Sequence, residues 1–301
     1  MSSSIQPTDP VEAFDKEALI KRNPHADWAA VEASREEYDS SKTYKYSKSP
    51  NPQWQPGDGA SNDEWKQHKM VSINPQDPSR TVTQNYKFII SSVVPRPIAF
   101  VSTVSKDGLC QNIAPFSYFN AVSPDPPIYT VSIVGDETKD TLRNCIETGE
   151  LCISIISDWY LEAANFCAVN TPPQQSEWPL AGLHPRQSTL VKPPHPAEAA
   201  FSMECKVHST VPIYSKNRQN ADGSPVRTAT LVLCEAVLYH VREDAIDEKT
   251  ETLKIEVLRP MWRGGGITYG SLFDGFEALR PMAFRHLRET EKVKQILENV
   301  E

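Results

Sequence analysis

Residues 95–120, PRPIAFVSTVSKDGLCQNIAPFSYFN, constrain the chain more than any other stretch. An apolar run, IAFVSTVS, reaches Lys106-Asp107-Gly108, and LCQNIA runs back. Asp-Gly between two β-rich runs marks a tight hairpin, because glycine accepts the positive φ that such turns need. The returning run leads into Ala114-Pro115-Phe116-Ser117. Pro115 has no N–H, so the chain is expected to leave the ladder there and free backbone groups for a ligand. Ser102 and Thr103 add hydroxyls and Asn112 adds an amide. Flat apolar cover with a few such donors suits a planar, phosphorylated molecule. The same residues also suit a Ser/Thr-rich hairpin packed like any other.

The rest of the chain from residue 80 reads mostly as strands. PIYTVSIV (127–134), ELCISII (150–156), FSMECKVHSTVPIY and VRTATLVLCEAVLYHVRE are β-rich without helical period, and Asp222-Gly223 turns between the last two. A short helix is expected over 85–91. TKDTLRNCIETG is a second, with Thr138 as N-cap and Gly149 as its stop. DWYLEAANFCAV is a third, with Asp158 as cap. Residues 170–197 carry seven prolines and are expected neither to ladder nor to coil. About six strands in meander order without βαβ alternation favour a small antiparallel barrel.

Residues 1–79 read as an N-terminal extension, partly helical and partly irregular. PVEAFDKEALIKR and ADWAAVEASREEYDS have helical spacing, with Asp27 as a cap for the second, and a Pro/Gly/Ser-rich stretch follows. Trp28, Trp54 and Trp65 want something to pack against, so the extension is expected to lie over the barrel or a partner subunit. Residues 276–301 read as a C-terminal helical tail built on EALRPMAFRHLRETEKVKQILEN.

Charge and composition exclude several classes. The net charge is −8 and no basic stripe occurs, which argues against nucleic acid and anionic membranes. No apolar run is long enough to span a bilayer, and the first twenty residues lack secretory or transit character. The six cysteines form no CxxC and no zinc spacing, so reduced, mostly buried thiols in a cytoplasmic protein are expected. No H-E-x-x-H motif or G-x-S-x-G elbow appears, and no catalytic or metal-ligating side chain is singled out.

Three further candidates for binding remain. Lys139-Asp140-Thr141 stands at a helix start, where unpaired N–H groups and a partial positive charge favour phosphate; an ordinary capped helix with a solvated lysine fits as well. Arg96, between two prolines, is a second cation for a phosphate or ring edge, or half of a surface ion pair. Arg263-Gly264-Gly265-Gly266-Ile267-Thr268-Tyr269 fails the dinucleotide fingerprint; its glycines suit close backbone approach, and Tyr269 either covers a ring or packs at an interface.

The blocks VPRPIAFVSTVSKDGLCQNIAPFSYFNAVSPDPP, KDTLRNCIETGELCISII and LRPMWRGGGITYG resemble the flavin reductase-like family of FMN-binding split barrels. The resemblance spans roughly residues 80–275 and implies a mainly β, Greek-key split β-barrel with short flanking helices. It implies a homodimer with FMN near the subunit interface. It places Arg96, Ser102, Thr103, Asn112, Ala114, Pro115, Phe116 and Ser117 along the flavin, Lys139, Asp140 and Thr141 at its phosphate, and Tyr269 nearby. Met261 and Trp262 precede the arginine where smaller residues are usual in that family. The implied activity is NAD(P)H-dependent flavin reduction, with NADH or NADPH as hydride donor. The alternative is a non-catalytic carrier or scaffold for FMN or haem.

Overall fold

The computed structural model describes residues 25, 27–135, 139–172 and 174–299. They group into two compact units. The larger contains Val82–Leu272 with the described residues up to Tyr38, and the smaller contains Asp39–Thr81 with the chain from Phe273 onward.

In chain order, α1 (Trp28–Ala33) and β1 (Lys45–Ser47) precede α2 (Val82–Ser92). Then come β2 (Arg96–Pro97), β3 (Ala99–Val104), β4 (Gln111–Phe116), β5 (Phe119–Pro124), β6 (Pro127–Val134), α3 (Asp140–Thr148) and β7 (Glu150–Ile155). The Pro-rich connection contains α4 (Leu161–Phe166), α5 (Glu177–Ala181), β8 (Pro185–Arg186) and β9 (His195–Pro196). The long pair β10 (Phe201–Gln219) and β11 (Pro225–Val241) follows, then β12 (Ile246–Asp247), β13 (Thr252–Leu253) and α6 (Ile255–Leu258). Two short strands, β14 (Met261–Arg263) and β15 (Tyr269–Ser271), end the larger unit. The smaller unit adds β16 (Asp274–Phe276), α7 (Phe284–Leu287) and α8 (Glu291–Glu298).

Seven strands form one sheet in the order β4-β3-β7-β10-β11-β6-β5, with every pairing antiparallel. All six residues of β3 are buried, because its two faces serve two cores. Ala99 and Val101 join Val131, Ile153, Met203 and Val232 in one. Phe100 joins Ile98, Ile113, Tyr160 and Trp178 in the other. The β3–β4 turn forms as the sequence predicts: Gly108 sits at φ +78°, and Asp107 accepts from the Leu109 N–H at 3.0 Å. Leu142 and Cys145 attach α3 to the first core, and Gly149 ends that helix in the left-handed conformation. Asp27 caps α1 by accepting from the Ala30 N–H. Among the described residues no helix is long and apolar enough to cross a membrane.

Several expectations are corrected. The chain does not leave the ladder at Pro115, because β4 continues through Phe116 with Pro115 paired with Phe100, and only Ser117 of the four-residue run lies beyond it. β4 is an edge strand, and the Ile113 N–H turns outward to the Glu177 carboxylate. Pro115, two residues on, has its nitrogen on that same outer side, where no ladder bond is lost. The segment 170–197 does coil and ladder: Ser176 caps α5, and β8 pairs with β9 through Arg186 and His195. Burial of Trp178, Val191 and His195 pins it down. Asp158 is not a side-chain cap, since its carboxylate binds Arg259 and accepts from the Tyr38 hydroxyl at 2.8 Å. The tail is two short helices, because extended backbone at Thr290 interrupts the run. Thr138 and PVEAFDKEALIKR lie outside the described residues.

In the smaller unit β1 pairs with β16 in parallel, Tyr46 opposite Gly275. A Cβ at Gly275 would lie 1.7 Å from the Tyr44 hydroxyl, so only glycine fits this crossing. Lys292 of α8 binds Asp58 at 2.7 Å. Trp54 and Trp65 stay 50% and 65% exposed, so neither is a core anchor.

Candidate functional site

The β3–β4 hairpin and the start of α3 meet in a buried knot of four polar side chains. Asn112 stands directly opposite Thr103 in the ladder, which puts both side chains on the face that α3 covers. The Asn112 amide donates to the Thr141 hydroxyl oxygen at 2.9 Å and to that of Thr103 at 3.5 Å. The Asn144 amide donates to the Thr103 oxygen at 3.0 Å. All four residues are buried. Among the described residues neither threonine hydroxyl donates to a protein acceptor, and Asn144 Oδ1 has no partner. A hydroxyl oxygen that accepts from an amide still has its own hydrogen to give. The knot therefore holds two unspent O–H donors, both buried, beside the first turn of α3, whose backbone N–H groups also lack helical partners. Lys139 occupies the N-cap position and reaches Asn170 Oδ1 at 3.4 Å. Asp140 is engaged by Arg143. Fixed donors, a helix start and a lysine thus come together at one point of the fold.

The other expected residues fall elsewhere. Ser102 points to the opposite face of β3 and donates to the Pro194 carbonyl. Ala114 lies opposite Val101, and Phe116 packs on the first core. Arg96 is buried; Nη1 donates to the Ile90 and Val93 carbonyls, Nη2 to the Gly264 carbonyl at 2.7 Å, and Nε to Ser117 Oγ at 3.4 Å. It is thus no surface ion pair. Burial, with Arg263 adding to it, lowers its pKa, although a guanidinium remains charged. Tyr269 donates to Asn165 Oδ1 at 2.7 Å, and its ring lies 4.1 Å below the Arg263 guanidinium. So Thr103, Asn112, Thr141, Lys139 and Asp140 come together, Arg96 and Ser117 form a second group, and Tyr269 a third.

Three thiols near these groups are held in the neutral form. Burial pushes Cys152 and Cys167 up to about 12, and Cys110 is raised by burial first and by Glu177 next. Asn144 escaped the sequence reading, although its place three residues after Thr141 puts both on one helical face. Glu177, which closes the outer edge of β4, gave no local signal.

Three comparisons bear on this arrangement. The family model described as "Flavin reductase like domain" matches residues 91–259. An uncharacterised protein of Halalkalibacterium halodurans is 36% identical over 214 residues, covering 70% of this chain and 97% of its own. An uncharacterised Aquifex aeolicus protein is 37% identical over 191 residues, 62% of this chain and 90% of its own. Among solved structures, nitrilotriacetate monooxygenase component B from Bacillus cereus superposes with TM-score 0.64 at 37% identity, covering 70% of this chain and 100% of that one. The Pseudomonas fluorescens 2-nitrobenzoate 2-nitroreductase gives TM-score 0.60 at 28% identity over 70% of this chain and 97% of that one. A split-barrel protein from Shewanella frigidimarina, 18% identical with TM-score 0.57 over 71% of this chain and 100% of that one, shares the fold.

Proposed function

The chain belongs to the flavin reductase like family, and from that membership we propose that it is an FMN-binding oxidoreductase that takes hydride from NADH or NADPH. The observation that carries this reading is the knot, where two buried hydroxyls without acceptors stand beside Lys139 and the start of α3. That donor set fits a phosphate dianion, which needs several N–H and O–H groups and a cation at one point.

When bound, FMN supplies the two-electron chemistry. The side chains described here bind and orient. Thr103 and Thr141 give their hydroxyl hydrogens to the phosphate. Asn112 and Asn144 hold the two threonine oxygens still, and Lys139 offsets charge. Phe116 and Ser117, at the end of the edge strand β4, offer apolar cover and backbone groups to the ring, with Arg96 behind them. Ser102 contributes through its backbone, because its side chain faces the other way. We place Ala114, Pro115 and Tyr269 along the ring as the resemblance implies, in a cytoplasmic homodimer whose Greek-key barrel spans 80–275. The similar proteins include a monooxygenase component and a nitroreductase, so the electron acceptor is a property that members vary.

The test is optical. Purified protein mixed with FMN and NADH or NADPH should bind the flavin and consume the nicotinamide absorbance in a flavin-dependent way. Tight FMN binding without nicotinamide oxidation would favour a carrier, and no flavin binding would overturn the reading.

A further inference from the structure

β2 and β14 pair antiparallel with Arg263 directly opposite Arg96. Like charges facing each other across a ladder are unfavourable unless something negative joins them. Among the described residues neither arginine is paired with a carboxylate. Arg96 is compensated in another way: its bonds to the Ile90 and Val93 carbonyls place it at the negative end of α2. Arg263 has no such relief. Its Nη2 donates to the Gly266 carbonyl at 2.9 Å and its plane stacks on Tyr269, yet Nη1 is buried without any partner. Gly266 holds φ +60°, and a Cβ built there would meet nothing within 4 Å, so there is room beside the carbonyl that grips this guanidinium. The fork is held by a ring and a carbonyl, repelled from behind, and left with a donor to spend.

We propose that Arg263 anchors an oxyanion of the phosphate class on an incoming nucleotide, with Tyr269 and Gly266 fixing its fork and Arg96 adding positive charge behind it. A planar fork of N–H groups matches phosphate oxygens in a way a lysine cannot. This site is separate from the knot, and Arg263, Gly266 and Tyr269 lie beyond the residues matched by the family model. Which nucleotide carries the oxyanion rests on the function proposed above; the anion site itself does not. The two sources are the flavin's phosphate and the phosphates of the nicotinamide dinucleotide.

Titration calorimetry of the full-length protein and its Arg263→Gln variant, with inorganic diphosphate, FMN, riboflavin and NADPH, tests this directly. Diphosphate affinity should fall at least about tenfold in the variant. The melting temperature of the ligand-free variant should not fall, because a repulsive contact has been removed. Loss of NADPH affinity with FMN unchanged assigns the nicotinamide nucleotide. Loss for FMN with riboflavin unchanged assigns the flavin phosphate to Arg263 and removes it from the knot. Arg263→Lys, which keeps the charge and loses the fork, should bind diphosphate several-fold more weakly than wild type, and it serves if the glutamine variant folds poorly. Absence of diphosphate binding by the wild type, equal affinities in wild type and both variants, or a lowered melting temperature with unchanged binding would each overturn the proposal. Diphosphate binding that depends on Arg263 in a protein that takes no flavin would uphold this site while removing the function proposed above.

Discussion

Asn112 is the residue on which the knot turns, since its one NH₂ group serves both Thr103 and Thr141. Asn112→Ala frees the Thr141 hydroxyl to rotate and leaves the Thr103 oxygen to Asn144 alone. FMN affinity is expected to drop about tenfold, or about 1.4 kcal/mol, while riboflavin affinity changes little; fluorescence titration reads both. A different residue sets the response to acid. His195 is buried, stacks 4.3 Å from His240, and its pKa is lowered to about 4, by burial first and by His240 next. Its unfolded value is near 6.5, so between pH 6.5 and 4 the unfolded chain binds the extra proton. Stability from this group is complete above pH 6.5 and is lost as pH falls toward 4. Urea midpoints should decline across that window in the wild type and flatten in His195→Phe; a wild-type midpoint constant over the window would contradict the assignment. At this scale the hairpin residues were legible because Asp107-Gly108 fixes the register that sets Asn112 against Thr103. Arg263 was not, because its isolation depends on which residues stay away from it, and a sequence shows only which residues are present.

Among the elements, the turn 189–191 within the segment 184–197 is tethered by one carboxylate. Glu204 of β10 is fully buried and accepts from the N–H groups of Thr189 and Leu190 at 2.6 Å and Val191 at 3.1 Å, with His240 Nε2 at 2.6 Å. Glu204→Ala strands those donors and should cost about 3 kcal/mol. Hydrogen exchange should rise at Thr189, Leu190 and Val191 while β3 stays protected; uniform change across both would refute a local tether. A second element depends on space. Trp262 of β14 lies over Gly270 of β15, where a Cβ would come within 2.2 Å of the indole. Gly270→Ala should therefore lower the melting temperature, and adding Trp262→Ala should recover part of it. The long strands could be read from the sequence because both their faces are apolar or alternate cleanly. β5 and the β8–β9 pair could not, because their prolines announce breaks, and only the finished sheet shows which side of a strand needs no N–H.

At the scale of the molecule, the Halalkalibacterium and Aquifex relatives use 90% or more of their own length to cover 62–70% of this chain. The barrel resemblance was legible because it rests on contiguous motifs. The smaller unit was not, since it joins Asp39–Thr81 to the distant Phe273–Glu301, and pairing of remote segments leaves no periodic trace. We propose that this unit is independent of flavin binding. Truncation after Ala283 removes α7 and α8, including Ile296, which packs on Gly57. Residues 39–81 should then become protease-sensitive while FMN affinity holds; a matching loss of FMN affinity would contradict that independence. The central claim, that the knot at the start of α3 seats a phosphate, is tested most directly by titrating the wild-type protein with FMN and riboflavin side by side. FMN should bind at least about tenfold tighter, and equal affinity for the two flavins would mean that no phosphate is seated there.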